Sequence, residues 1–137
     1  MTASKWLWQA RRIDQEIKIL KQSEKREYDR ATSTVSKLSG MAGTASSPDP
    51  HKFDKLAEYS AAVRKREQDL LSLKTEMLET IGRLEDGRYR MILQLRYIDC
   101  FSWKKVQEKM HYSERGSFKI HAEALAHLSL ILTEKEK

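Results

Sequence analysis

The sequence predicts an all-α protein with a long N-terminal antiparallel helical hairpin and a C-terminal three-helix helix-turn-helix domain. Apolar residues recur at intervals of three, four and seven over the first two thirds of the chain, a pattern typical of coiled-coil-like amphipathic helices. The 137-residue chain has only 2 Pro and 5 Gly residues, and they mark breaks between helices rather than forming low-complexity stretches. In the last third, the helical segments become shorter and aromatic residues cluster.

The first helix is predicted over about residues 4–38. Trp6, Ile13 and Leu20 recur at seven residues, which places them on one face of a helix. Ser4 supplies a side-chain oxygen that can cap the first turn. Residues 39–49 are rich in Gly, Ala, Ser and Thr and show no periodicity, so they are predicted to form a loop.

The second helix is predicted over about residues 50–85, with Asp49 as its N-cap and Pro50 at its first position. A series at seven follows: Leu56, Val63, Leu70, Met77 and Leu84. Two long helices joined by a short loop fold back on each other, which gives a domain over residues 1–87. Because such a hairpin buries little apolar surface per residue, it is expected to need a third helix or a second chain, and a homo-oligomer formed through the hairpin is predicted.

A second domain is predicted over residues 88–137. Its first helix has an apolar face formed by Met91, Ile92, Leu95 and Ile98. Ser102 then caps a second short helix, and Ser113 caps a third after a turn at residues 111–113. The polar tail, residues 133–137, is expected to fray.

The net charge of +6 is concentrated at the two ends of the chain. Residues 1–38 carry nine basic against five acidic side chains, and residues 88–137 carry ten against six. This excess favours a polyanionic partner such as double-stranded DNA, although an ordinary solvated surface explains it equally well. No apolar run approaches the roughly 18 residues of a membrane helix, and Cys100 is the single cysteine. A cytoplasmic protein without membrane contact is therefore expected.

The sequence offers no catalytic or cofactor-binding pattern, so an enzyme is not expected. Cys100 and the four histidines (His51, His111, His121 and His127) lack metal-ligand spacing, and no Gly-rich phosphate loop is present. His121 either packs in the domain or contacts DNA, and Trp103 is expected in the core. Trp6 and Trp8 are two residues apart on one helix, so at least one of them is expected to be exposed or in an interface.

Two short helices joined by a three-residue turn, behind a supporting helix, are the layout of a helix-turn-helix. The second of these helices would enter the major groove, and basic residues on the first would lie beside phosphates. The candidate DNA-binding residues are Lys104, Lys105, Glu114, Arg115, Phe118 and Lys119.

The same residues carry a family resemblance. Residues 95–99 (LRYID), 102–106 (SWKKV), 112–115 (YSER), 124–125 (AL) and His121 resemble region 4 of sigma-70-type factors. The whole chain is similar to phage and prophage regulators that place this domain behind a helical hairpin, related to late-gene regulators of the ArpU and RinA type. The family's inter-helix loop corresponds to residues 39–41 and 49–50.

This resemblance implies DNA binding and control of phage transcription, with base contacts from Glu114, Arg115, Phe118 and Lys119. It also implies a small residue where this chain has Gln107, a glycine at His111 and a β-branched apolar residue at Ser117. The alternative is a phage-derived protein that binds a host protein, such as RNA polymerase or a defence nuclease, through the same helix. No cofactor is implied in either case.

Overall fold

A computed structural model describes residues 2–39 and 50–136, without the side chains of residues 34–39 and 136. Its elements are α1 (Ala3–Ser39), α2 (Asp54–Ile81), α3 (Gly87–Leu93), a π-helical turn (Gln94–Ile98), α4 (Trp103–Met110) and α5 (Glu114–Glu136). The described residues contain helices and turns only, which confirms the predicted all-α class. None of these helices is long and apolar enough to span a bilayer.

Helix α1 begins one residue earlier than predicted, because Thr2 rather than Ser4 caps it. The Lys5 backbone N–H donates to Thr2 Oγ1 at 3.2 Å, and the Trp6 N–H donates to the Thr2 carbonyl at 3.0 Å. The helix continues to Ser39, so the predicted loop of residues 39–49 is wrong at its first residue. The rest of that loop lies outside the described residues.

Helix α2 begins at Asp54, four residues after the predicted start at Pro50. Residues 50–53 form a turn, in which the Asp54 N–H donates to the His51 carbonyl at 3.2 Å. The predicted cap, Asp49, lies outside the described residues. The helix ends at Ile81, short of the predicted residue 85, because the N–H groups of Arg83 and Leu84 bond three residues back instead of four.

Close contacts divide the chain into two compact units. One comprises Met1–Ile13 with Leu70–Lys137, and the other comprises Asp14–Asp69. This division does not coincide with the predicted boundary at residue 87. The start of α1 and the end of α2 fall in the same unit as α3, α4 and α5.

The unit of residues 14–69 consists of parts of α1 and α2. Arg66 pairs with Glu16 through its Nε at 3.0 Å and through a second, shorter contact, and Lys21 Nζ lies 3.7 Å from Glu67. Among the described side chains of this unit, the buried apolar ones are Ile17, Ala31 and Val63.

The buried face of α1 differs from the prediction. Trp6, Ile13 and Leu20 are only half-buried. Among the described side chains of α1, the buried apolar ones are Ala3, Leu7, Ala10, Ile17 and Ala31. On α2 the predicted series is confirmed at Val63, Leu70 and Met77, and Leu84 beyond its end is buried too, whereas Leu56 is half-buried.

The unit of residues 1–13 and 70–137 holds the larger core. Its buried apolar side chains include Leu7, Met77, Ile81, Ile92, Leu93, Tyr97, Val106, Ala124 and Leu128. Met91, predicted on the apolar face, is exposed. Asp86 caps α3 by accepting the Arg88 N–H at 2.9 Å, and the Arg88 guanidinium and N–H together lower the pKa of Asp86 to about 2.

The predicted frayed tail is instead the last turn of α5, which continues to Glu136. Leu132 is buried, and Lys135 Nζ lies 3.4 Å from Glu76. Residues with high helix propensity readily extend an existing helix when one face of that helix already packs on a core. The charged residues at the end of the chain therefore continue α5.

Candidate nucleic-acid interface

The turn between α4 and α5 has the predicted length and the predicted caps. Ser102 Oγ accepts the Lys105 N–H at 3.3 Å, and Ser113 Oγ accepts the Gly116 N–H at 3.1 Å. His111 adopts a left-handed backbone with φ of 59°. The Tyr112 N–H then donates to the Gln107 carbonyl at 3.2 Å, the longer bond of a Schellman-type helix end. The resemblance implies glycine at His111, and the left-handed φ explains why glycine suits this position.

A hydrogen bond between side chains joins α4 to α5. Gln107 Nε2 donates to Ser117 Oγ at 3.1 Å, and Ser117 Oγ donates to the Glu114 carbonyl at 2.7 Å. Ser117 is fully buried, so these bonds supply the partners that a buried hydroxyl needs. Gln107 and Ser117, where the resemblance implies a small residue and a β-branched apolar one, therefore satisfy each other's polar groups between the two helices.

An aromatic cluster fixes the start of α4 against the second turn of α5. The Trp103 ring meets Phe118 edge-on at 5.0 Å and His121 at 4.8 Å between centroids. Tyr97 Oη and His121 Nε2 are 2.7 Å apart. His121 thus packs inside the unit, which is the first of its two predicted alternatives. The prediction of Trp103 in the core is wrong in degree, because the residue is only half-buried.

All six predicted DNA-binding residues are exposed. They are Lys104 and Lys105 in the first turn of α4, and Glu114, Arg115, Phe118 and Lys119 in the first two turns of α5. Phe118 is 41% exposed although its ring touches Trp103. Arg115 and Lys119 are four residues apart and share a face of α5.

A lysine that the sequence interpretation missed accompanies Lys105. Lys105 Nζ lies 4.3 Å from the centroid of the Phe101 ring, and Lys109 Nζ lies 5.4 Å from it. Lys105 and Lys109 are four residues apart, and that spacing after an aromatic residue was the available signal. Both ammonium groups therefore lie near the same aromatic ring at the start of α4, within the range of a cation–π contact.

This stretch of the chain is positively charged. Residues 103–119 contain five basic side chains against two acidic ones, namely Lys104, Lys105, Lys109, Arg115 and Lys119 against Glu108 and Glu114. All seven side chains are exposed. Such a surface attracts a polyanion, and its field is strongest at low ionic strength.

Two arginines and a tryptophan contact the segment that precedes α4, and no sequence pattern predicts this arrangement. Arg96 Nη1 donates to the Phe101 carbonyl at 2.9 Å, and Arg11 Nη1 donates to the Arg96 carbonyl at 2.8 Å. The guanidinium carbon of Arg96 also lies 5.8 Å from the centroid of the Trp8 ring and 4.8 Å from that of Trp103. Burial, and then the neighbouring Arg11 charge, lower the pKa of Arg96. Trp8 is 40% exposed, as predicted for at least one of Trp6 and Trp8.

The comparison with known families identifies the chain at the level of a family. A family described as "Protein of unknown function (DUF1492)" matches residues 44–129. The chain belongs to this family. The DUF1492 match includes α2, α3, α4 and most of α5, and therefore the whole candidate interface. No curated protein and no solved structure matches the chain.

Proposed function

We propose that this DUF1492 protein binds double-stranded DNA through α4 and α5 and acts as a phage-encoded transcriptional regulator. The observation that carries the proposal is the pair of helices joined by the turn at residues 111–113. All six candidate side chains are exposed, on the first turn of α4 and the first two turns of α5. A helix-turn-helix presents its second helix to the major groove in this way.

The side chains divide into two roles by their chemistry. Arg115 has a planar guanidinium that can make two bonds to a guanine edge, and Phe118 offers an apolar ring to a thymine methyl group. Lys104, Lys105 and Lys119 are point charges suited to phosphates, and such contacts position the protein without specifying sequence.

The experiment compares Arg115→Ala with Lys119→Ala on a duplex selected from random DNA by the wild-type protein. Arg115→Ala should lower affinity for that duplex by about 1–3 kcal/mol and relax the preference at one base pair. Lys119→Ala should weaken selected and scrambled duplexes equally and reduce the salt slope by about one unit. Arg64→Ala, which removes an exposed arginine from α2, is the matched control.

Because Arg115 and Lys119 are exposed, all three variants should melt within a few degrees of the wild type, so lost binding is not lost folding. If both α5 variants bind every duplex as the wild type does, α5 does not contact bases and the proposal fails.

One observation favours a second candidate, in which α5 binds a host protein such as RNA polymerase. Phe118 is an exposed aromatic side chain held rigid against Trp103, and rigid aromatic anchors are common in protein interfaces. In that case Phe118→Ala should abolish binding to purified host RNA polymerase, while Arg64→Ala retains it. Absence of any binding by the wild-type protein would exclude polymerase as the partner.

A further inference from the structure

The basic residues at the start of α1 are not used by a DNA-binding surface formed from α4 and α5 alone. Residues 1–13 contain Lys5, Arg11 and Arg12 and no acidic side chain. They belong to the same compact unit as α4 and α5. Among the described side chains, no carboxylate forms an ion pair with any of these three cations. Cations without acidic neighbours attract a polyanion.

Two of these cations share an exposed face of α1 with a tryptophan. Lys5, Trp8 and Arg12 are three and four residues apart, so they form one ridge along the helix, and all three are exposed. At a rise of about 1.5 Å per residue, Lys5 and Arg12 are about 10 Å apart along α1. Successive phosphates of one DNA strand are about 3.4 Å apart along the duplex axis, so these two cations can contact different phosphates.

Contacts of Trp8 and Arg11 hold this ridge beside the segment that leads into α4. The guanidinium carbons of Arg11 and Arg96 lie 5.2 and 5.8 Å from the centroid of the Trp8 ring. Arg11 Nη1 donates to the Arg96 carbonyl at 2.8 Å and to the Phe101 carbonyl at 3.5 Å. Phe101 lies two residues before the start of α4. The ridge is therefore anchored next to the helix whose first turn carries two of the candidate phosphate-binding lysines.

We propose that Lys5 and Arg12 contact DNA phosphates next to those bound by the first turn of α4, so that α1 forms part of the DNA-binding surface. This inference rests on the proposed DNA binding by α4 and α5. Double-stranded DNA fits the ridge because it offers a continuous row of phosphates that can pass from α4 to α1. Phosphate contacts of this kind raise the affinity for every sequence and specify none.

Fluorescence anisotropy of the full-length protein with labelled duplexes tests the contact. Lys5→Ala/Arg12→Ala should weaken selected and scrambled duplexes equally and reduce the magnitude of the salt slope by about two. From about 50 mM to 200 mM salt, the loss of affinity should then be about 16-fold smaller than that of the wild type. The matched control, Lys25→Ala/Arg26→Ala, removes one lysine and one arginine from exposed positions of α1 in the other unit and should leave the slope unchanged.

A conservative variant separates the charge of Arg12 from any structural role. Arg12→Lys keeps the charge and should keep the wild-type slope, whereas Arg12→Gln should reduce the slope by about one. Because Lys5 and Arg12 are exposed, every variant at these two positions should melt within a few degrees of the wild type.

Failure of this inference differs from failure of DNA binding by α4 and α5. If Lys104→Ala/Lys105→Ala reduces the slope but Lys5→Ala/Arg12→Ala does not, α4 binds DNA and the contact from α1 is refuted. The contact is equally refuted if the control variant reduces the slope as much as Lys5→Ala/Arg12→Ala does, since net charge then explains the effect. A wild-type protein that binds no duplex at about 50 mM salt overturns both proposals.

Discussion

The hydrogen bond between Gln107 and Ser117 makes a quantitative prediction about how α4 and α5 are held together. Ser117 Oγ uses its proton on the Glu114 carbonyl and its lone pair on Gln107 Nε2. Gln107→Ala removes one bond and leaves the hydroxyl partly satisfied, so it should cost about 1 kcal/mol. Ser117→Ala removes both bonds but gains helix propensity, and should also cost about 1 kcal/mol.

The double variant loses the shared bond only once. Its cost should fall short of the sum of the single costs by about 0.5–1.5 kcal/mol, which is the net value of one such bond. Urea unfolding of the four proteins measures this coupling. For a chain of this size, each kcal/mol should move the melting temperature by about 3–5 °C.

A control cycle pairs Ser117→Ala with Gln22→Ala, an exposed glutamine on α1 in the other unit. The unfolding free-energy costs of these two substitutions should be additive within about 0.5 kcal/mol. If the Gln107–Ser117 costs also add within that margin, the bond does not couple the helices and the argument that these two side chains satisfy each other is refuted. Replacing the pair together by Ala and Val, the residue types that the family resemblance implies, should recover stability relative to Ser117→Val alone.

Two further predictions concern histidines. Burial, and then the Arg96 charge, lower the pKa of His121, so below about pH 6.5 the unfolded chain binds more protons than the folded one. Unfolding free energy should therefore be fully retained above about pH 6.5 and fall toward pH 5. His121→Gln should flatten that dependence, as measured by urea unfolding at several pH values; a slope equal to that of the wild type would contradict the assignment. His111→Gly should stabilise the protein by about 0.5–1 kcal/mol, because glycine adopts the φ of 59° at this position without strain. As a control, Lys109→Gly inside α4 should destabilise the protein by about 1 kcal/mol. A destabilised His111→Gly variant would show that the His111 side chain makes a necessary contact.

The sequence was sufficient for the fold class and for the series on α2, because leucine, valine and methionine at seven-residue spacing give a strong helical signal. The sequence was insufficient to identify the buried face of α1, where Ala3 and Ala10 occupy buried positions. Alanine carries little hydropathy signal, so the larger half-buried Trp6 and Ile13 dominated the pattern. The division into two compact units could not be predicted either, because sequence periodicity does not show which helix ends pack on a segment that is distant in the chain.

For the candidate interface, the sequence placed the six exposed side chains and both serine caps where the structure has them. It did not show that Gln107 and Ser117 form one contact. Residues ten apart on two helices meet only after the turn has set their orientation. Lys109 was missed for a similar reason, because its relation to Phe101 depends on how the chain enters α4.

Salt dependence of DNA binding tests the central claim most directly. Fluorescence anisotropy of a labelled duplex, titrated with the full-length protein from about 50 mM to 200 mM salt, gives the slope of log affinity against log salt. A surface with a few phosphate-contacting lysines and arginines should give a slope of magnitude about 3–6, and the Lys104→Ala/Lys105→Ala double variant should reduce it by about two. A slope near zero, or no binding at about 50 mM salt, would contradict the proposal that α4 and α5 form a DNA-binding surface.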